Sequence, residues 1–171
     1  MKPLRRITAV LLPCLLLAAC ASGPWETINV PIKAKGWKLG YAPKPTQQGW
    51  IKEYVQPPET VDDWTKLITL QFLNSNTTPP KQFMSELEAR MKQRCPGVQW
   101  HIVQAAKTRV IYEWKIDDCP GQQNQNEISE LIMGDYGLYR AAYTEKVPSM
   151  DPATRKQWIE WLSQAKIIKK P

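Results

Sequence analysis

The sequence has little of what most catalytic and cofactor sites require. It contains one histidine, His101, and its four cysteines form no C-x-x-C pair, so the ligand spacing of a zinc site is absent. No serine lies in a G-x-S-x-G elbow, the turn that exposes a hydrolase nucleophile. Glycine-rich phosphate loops and the dinucleotide fingerprint are also missing. The sequence therefore carries no signature of metal, acyl-transfer or nucleotide chemistry.

The sequence also lacks a concentrated basic patch. Its 23 Lys and Arg residues outnumber its 16 acids, but they are scattered apart from Lys166, Lys169 and Lys170. Nucleic-acid-binding domains carry a dense basic stripe. The excess of positive charge here predicts a solvated surface and no nucleic-acid partner.

Long apolar runs are absent too, since a permanent transmembrane span needs about 20 residues. The most apolar stretch, residues 7–17, follows Lys2, Arg5 and Arg6 and leads into two alanines. A charged start, a short apolar core and small residues before a cleavage point are typical of a secretory signal.

A cysteine directly follows those alanines. The run Leu17-Ala18-Ala19-Cys20 resembles the lipobox of bacterial lipoproteins, which reads Leu-small-small-Cys. The resemblance implies that residues 1–19 are a signal peptide and that Cys20 becomes the N-terminus, with acyl chains such as palmitate on its sulfur and its amine. A transmembrane anchor or an ordinary cleaved signal is the alternative for residues 1–19.

The resemblance also implies a location and a domain plan. Ala21 is small and uncharged, which in sorted lipoproteins permits delivery to the outer membrane of a Gram-negative bacterium, facing the periplasm. Loss of the signal would leave 20 basic and 16 acidic residues, a net charge of +4. Residues 20–48, rich in Pro and Gly, predict a lipidated tether. Residues 49–171 predict a single domain.

Two cysteines remain once Cys14 leaves with the signal and Cys20 carries lipid. Exported compartments are oxidising, so we predict a disulfide between Cys95 and Cys119. A redox or metal-binding pair is the alternative, and a chain with one histidine gives it little support.

Residue spacing predicts an α+β architecture. Phe83, Leu87 and Met91 form a helical stripe, and a second stripe from Trp158 to Ile168 follows the cap Asp151-Pro152. Consecutive strands with short turns imply an antiparallel sheet, and the two amphipathic helices bury their stripes against it. Alternation predicts strands at residues 50–55, 66–73, 98–102, 110–116, 127–133 and 137–145, and a short helix is predicted at 61–64.

This order of elements is similar to that of domains with the Mog1/PsbP-like fold. The ending Arg155-x-x-Trp158-Ile159-x-x-Leu162-x-x-Ala165 adds to the resemblance, which covers residues 49–168. It implies a sandwich of sheet and helices with a binding or accessory role, because that fold is mostly found in non-enzymatic assembly factors. It transfers no site residue.

Few residues are candidates for catalysis. His101 is either a general base or metal ligand, or a polar residue on the outward face of a strand. Adjacent acids carry no spacing signature of a glycosidase pair. We therefore predict no catalytic residues, no metal site and no cofactor, and instead a structural cross-strand ion pair such as Glu130 with Arg140. The acids weighed for acid–base work are Asp62-Asp63, Asp117-Asp118, Glu127 and Glu130.

Tryptophans supply the candidate contact region. Trp25, Trp37 and Trp50 lie in or beside the predicted tether, and exposed Trp often marks an interface or a membrane surface. The apolar phase of the others predicts core positions for Trp64, Trp100, Trp114, Trp158 and Trp161.

These features favour a membrane-anchored cell-envelope lipoprotein that acts as an accessory or protein-interaction module. Its expected partners are the membrane, through the lipid, and an envelope protein. The alternatives are a carrier of a small apolar ligand, which a large cavity would favour, and an envelope hydrolase. A cleft holding His101 and two close carboxylates would favour the hydrolase, whereas an exposed Trp patch would favour the interaction module.

Overall fold

The computed structural model describes residues 26–32 and 36–169. Cys20 and Trp25 lie outside the described residues. The elements follow the order β1 (Glu26–Asn29), β2 (Lys38–Tyr41), β3 (Gly49–Val55), β4 (Lys66–Asn74), α1 (Pro80–Arg94), β5 (Gln99–Ala106), β6 (Arg109–Ile116), β7 (Gln125–Met133), β8 (Gly137–Glu145), α2 (Pro152–Ser163) and β9 (Lys166–Lys169).

Seven strands form one antiparallel sheet in the order β2-β3-β4-β8-β7-β6-β5. Short connections join β5 to β6 and β7 to β8, so that neighbours in sequence pair in space. β1 and β9 form a separate two-stranded sheet. The predicted α+β class with a large antiparallel sheet and two helices is confirmed.

The two helices lie on opposite faces of the large sheet. Trp158 and Leu162 of α2 pack among Ile128 and Tyr143 in the larger core, on what we call the α2 face. Met84 of α1 packs in a second core on the α1 face. Because successive residues of a strand point to opposite faces, β7 contributes even-numbered residues to the α2 face and odd-numbered residues to the α1 face.

The helix starts agree with the sequence, but one end does not. The Asp151 side chain accepts a hydrogen bond of 2.8 Å from the backbone N–H of Thr154, which caps α2 as predicted. The helix ends at Ser163, however, and Ile168 lies in β9, opposite Thr27 of β1. No helix in the described part of the chain is long and apolar enough to span a membrane.

The stretch predicted to be a tether contributes two strands. β1 pairs with β9, and β2 pairs with β3, where Leu39 lies opposite Tyr54. The folded body therefore begins before Gly49. Strands of four residues carry too little alternation to stand out among prolines and glycines.

The short helix predicted at residues 61–64 is not formed. The backbone groups of Thr60 and Asp63 instead exchange hydrogen bonds of 3.1 and 3.2 Å, which close a turn. The Thr60 hydroxyl accepts a further bond of 3.3 Å from the Asp63 N–H, as it would at a helix start. The prediction of a helix here is wrong, because the capping interaction of Thr60 closes a turn and no helix follows it.

The predicted disulfide between Cys95 and Cys119 is present, with Cα atoms 5.2 Å apart. Both cysteines are buried beside Val98 and Ile116. The bond ties the residue after α1 to the loop after β6, so it holds the C-terminal end of the helix against the sheet.

Candidate functional site

His101 lies on β5 and lines an open cleft on the α2 face, with a volume of about 340 Å³. Its direct cross-strand partner is Glu113 of β6. Arg155, in the first turns of α2, holds both carboxylate oxygens of Glu113 through Nε and Nη2, at 2.7 and 2.8 Å. Lys115 reaches Asp117 at 2.7 Å beside the same cleft.

This arrangement does not meet the condition set for a hydrolase. In the β5–β6 register, His101 lies opposite one carboxylate, that of Glu113. Arg155 already binds both oxygens of this carboxylate. The other acid of the lining, Glu127, directs its carboxylate to the opposite face of the sheet, where it bonds Arg140. The cleft therefore does not hold His101 together with two close, free carboxylates.

Of the three tryptophans predicted as a contact region, the structure describes Trp37 and Trp50. Trp37 is half-buried and packs edge-on against Tyr143 and Trp158, at 6.3 Å from each ring. Trp50 lies on β3, with its ring 6.3 Å from Phe72. Truncating Trp37 therefore alters the core, and its effect on a partner could not be separated from a loss of stability. The contact role of Trp25, Trp37 and Trp50 stays a prediction.

The ion pair suggested between Glu130 and Arg140 is wrong, because the two side chains lie on opposite faces. In the β7–β8 register, Glu130 is opposite Ala141, and Arg140 is opposite Leu131. Arg140 pairs instead with Glu127, at 2.6 Å, on the α1 face. The turn at Gly134-Asp135 already determines which residues of β7 share a face of the sheet with Arg140. The length of this hairpin was therefore the sequence signal that could have identified the pair.

Glu127 is the centre of a buried polar network on the α1 face. Its Oε1 accepts hydrogen bonds from Trp114 Nε1 at 3.0 Å, Ser129 Oγ at 2.5 Å and Arg140 Nη2 at 2.6 Å. Its Oε2 accepts from Thr144 Oγ1 at 3.1 Å. Burial alone would raise the pKa of Glu127, but Arg140 and these donors outweigh it and lower that pKa. Glu127 is therefore a buried carboxylate that stays ionised.

Glu130, on the α2 face, differs from Glu127 because its pKa is raised and not lowered. It is fully buried, and Arg109 donates to its Oε1 from Nε at 2.8 Å and also from Nη2. Its Oε2 has no hydrogen-bond partner among the described residues. Burial raises the pKa of Glu130 to about 7, against the lowering effect of Arg109. Arg109 also donates to the carbonyl of Ala165 at 3.2 Å, just before β9.

We expect Glu130 to make the fold less stable as the pH rises. Its folded pKa of about 7 lies above the ordinary value of 4.5, so the folded state holds a proton that the unfolded state has lost between these values. The stabilisation is complete below about pH 4.5 and lost as the pH passes 7, which amounts to roughly 3 kcal/mol. Urea denaturation at pH 5, 6, 7 and 8 should show this loss in the wild type and not in Glu130→Gln.

The control for that comparison is Glu86→Gln, which removes one charge from the exposed surface of α1. We expect it to preserve the difference between pH 5 and pH 8. Parallel profiles of wild type and Glu130→Gln would contradict the assignment, because the titrating group would then lie elsewhere.

β5 is the outermost strand at one end of the sheet, so one of its edges has no neighbouring strand among the described residues. Its eight residues, QWHIVQAA, include no Asp, Glu, Lys, Arg or Pro, and Ile102 is 37% exposed. Natural sheet edges are commonly protected by charge, proline or a bulge, and of these β5 has at most the register shift, a bulge or irregularity, between Ile102 and Gln104. The other edge, β2, is four residues long.

Comparisons with known proteins do not assign this chain. No protein-family model matches the sequence, and no curated protein matches it. Across residues 26–32 and 36–169, no group of three or more His, Cys, Asp or Glu side chains is placed to hold a metal ion.

Proposed function

We propose that the chain is a lipid-anchored protein of the bacterial cell envelope that acts as an accessory or interaction module. The observation that carries this proposal is the free, uncharged edge of β5. An extended segment of a partner can add to such an edge as a further strand, with main-chain hydrogen bonds supplying affinity and alternate side chains supplying specificity.

The anchor follows from the lipobox-like run that ends at Cys20. Each buried methylene contributes about 0.8 kcal/mol, so two or more acyl chains hold a protein stably at a membrane. The finer classification as a Mog1/PsbP-like domain belongs to this proposal. The large antiparallel sheet with a helix on each face supports it, and the accessory role implied by that resemblance agrees with the function proposed.

Edge recognition can be tested with paired lysine variants of the tagged chain in a Gram-negative host. Ile102→Lys with Gln104→Lys places two charges on β5, which disfavours strand addition. Leu39→Lys with Tyr41→Lys places two charges on β2, at residues that are 54% and 45% exposed, and is the matched control. We expect crosslinked partner recovered with the β5 variant to fall at least tenfold, and the control to capture as the wild type does.

The same strains test the anchor. Cys20→Ser should abolish fatty-acid labelling and release the chain from the membrane fraction, while leaving the β5 edge intact. Labelled Cys20→Ser protein would contradict lipidation at this residue. Equal partner capture by the β5 variant and the wild type, at unchanged thermal stability, would contradict recognition through the edge.

A further inference from the structure

A groove on the α1 face combines an apolar wall with a polar end. It lies between α1 and the sheet and has a volume of about 280 Å³. The helix wall is formed by Phe83, Leu87 and Met91, all of which are only half-buried. α1 instead buries Pro80 and Met84 against the sheet. The helix therefore rests on its first turn and leaves most of its apolar stripe facing the groove.

Both ends of α1 are held, so the groove is part of the folded structure. Met84, near the N-terminal end of α1, packs in the core. Its sulfur accepts a hydrogen bond of 3.2 Å from Trp100 Nε1. The Cys95–Cys119 disulfide fixes the other end to the loop after β6. A pre-formed apolar cleft with a few placed polar groups is typical of small-molecule sites.

The sheet side of the groove is also rigid. Trp100 stacks on Tyr112 with ring centroids 5.1 Å apart, and the Trp114 indole donates to Glu127 at 3.0 Å. Both indoles line the groove. They offer flat apolar surface without having to be ordered when a ligand binds, which lowers the entropic cost of binding.

The polar end consists of Gln71 and Arg140, which are direct cross-strand partners on β4 and β8. The Arg140 side chain retains 19% of its exposure although Glu127 holds one of its nitrogens at 2.6 Å. A guanidinium has five N–H donors; Arg140 Nη2 donates to Glu127, and the Tyr112 hydroxyl lies near the same group. Donor capacity remains for an oxygen atom of a ligand.

The charges around Arg140 select an uncharged head group. Glu127 already balances Arg140, and Glu53 on β3 lies close enough for its charge to interact with the same guanidinium. A ligand carboxylate would bring a third negative charge to this site, and an ammonium would meet the arginine. A neutral carbonyl or amide oxygen can accept from Arg140 and Gln71 without either penalty.

We propose that this groove binds a small neutral amphiphile, whose short alkyl chain lies along Leu87 and Met91 and whose amide or carbonyl head reaches Gln71 and Arg140. This is a binding activity separate from the β5 edge, and it does not depend on the proposed envelope function.

The probes are octanamide, octanoate and octylamine, which share a chain length and differ in head charge. The protein is the processed chain, residues 20–171, with Cys20→Ser, and it contains every element described above. Binding is followed by two-dimensional NMR of the indole N–H groups of Trp100 and Trp114. We expect saturable shifts with octanamide and at least tenfold weaker binding of the two charged probes.

Variants locate the site. Leu87→Trp fills the groove and should remove octanamide binding, and Met91→Phe should weaken it at least fivefold by a smaller insertion that keeps the fold. Ala89→Trp adds the same indole at an exposed position of α1 and should bind as the wild type does. Gln71→Leu should weaken octanamide about tenfold, which is the effect of one lost hydrogen bond.

Three results would overturn the proposal. The first is the absence of saturable shifts with all three probes. The second is octanoate or octylamine binding as tightly as octanamide, which would contradict the neutral head. The third is octanamide binding that survives both Leu87→Trp and Met91→Phe in folded protein, which would place the ligand elsewhere.

Discussion

Replacing Arg140 with Met should destabilise the protein by about 3–5 kcal/mol, because it leaves Glu127 as a buried charge without a cation. Trp114, Ser129 and Thr144 would still donate to the carboxylate, but neutral donors do not balance its charge. Urea denaturation at pH 7 measures the loss. Arg90→Met, at an exposed position of α1, is the matched control and should stay within about 0.5 kcal/mol of the wild type.

A double-mutant cycle measures the coupling energy between Glu127 and Arg140 separately from the effect of each single substitution. Glu127→Leu combined with Arg140→Met removes both charges, and we expect it to recover most of the stability lost in Arg140→Met, since apolar replacement of a buried pair is often neutral. Additive losses in the double variant would show that the two residues act independently and would contradict the network.

The pH dependence of the Arg140→Met deficit gives a second check. Arg140 contributes to the lowered pKa of Glu127, so the pair stabilises the fold above the ordinary pKa of 4.5, and this contribution is lost as the pH falls. The deficit should therefore be smaller at pH 4 than at pH 7. A deficit that is constant with pH would indicate lost packing of the arginine side chain instead.

Removing the Cys95–Cys119 disulfide should cost about 3 kcal/mol in the chain-entropy model for a loop of this length. The two cysteines are 24 residues apart. The variant carries Cys95→Ala and Cys119→Ala, so both partners leave together and no free thiol remains. The measurement is the free energy of unfolding at pH 7 under oxidising conditions.

Reductant supplies the control for this variant. Dithiothreitol should lower the stability of the wild type towards that of the double variant and leave the double variant unchanged. Freely alkylated thiols in the native, oxidised protein would contradict the bond in solution. A loss below 1 kcal/mol would show that burial with Val98 and Ile116, and not the cross-link, holds this end of α1.

Most of the helices and strands could be predicted from short-range patterns in the sequence. Strands of seven to nine residues alternate over enough positions to be recognised, as in β4 and β6. The N-cap at Asp151 and the disulfide pairing also follow from local chemistry and from cysteine count. These signals need no knowledge of which elements become neighbours.

The order of strands and the partners of charged groups were decided by the tertiary structure. β1 and β9 are four residues each and lie at opposite ends of the described chain. Neither segment can be recognised as a strand from its own residues, because each is defined by its pairing with the other. The same holds for Trp37, which gains its place only when Tyr143 and Trp158 come together.

The candidate sites depend most strongly on that long-range assembly. Whether β5 is an edge is a property of the sheet order. Whether Glu127 or Glu130 meets Arg140 is a property of the register of the β7–β8 hairpin, which is more local. A shift of one residue exchanges the two faces of a strand. The sequence therefore determined most of the elements and the cysteine pair, because those depend on neighbours along the chain. The tertiary structure alone decided the edge and the groove, because each depends on strands that only the folded sheet brings together.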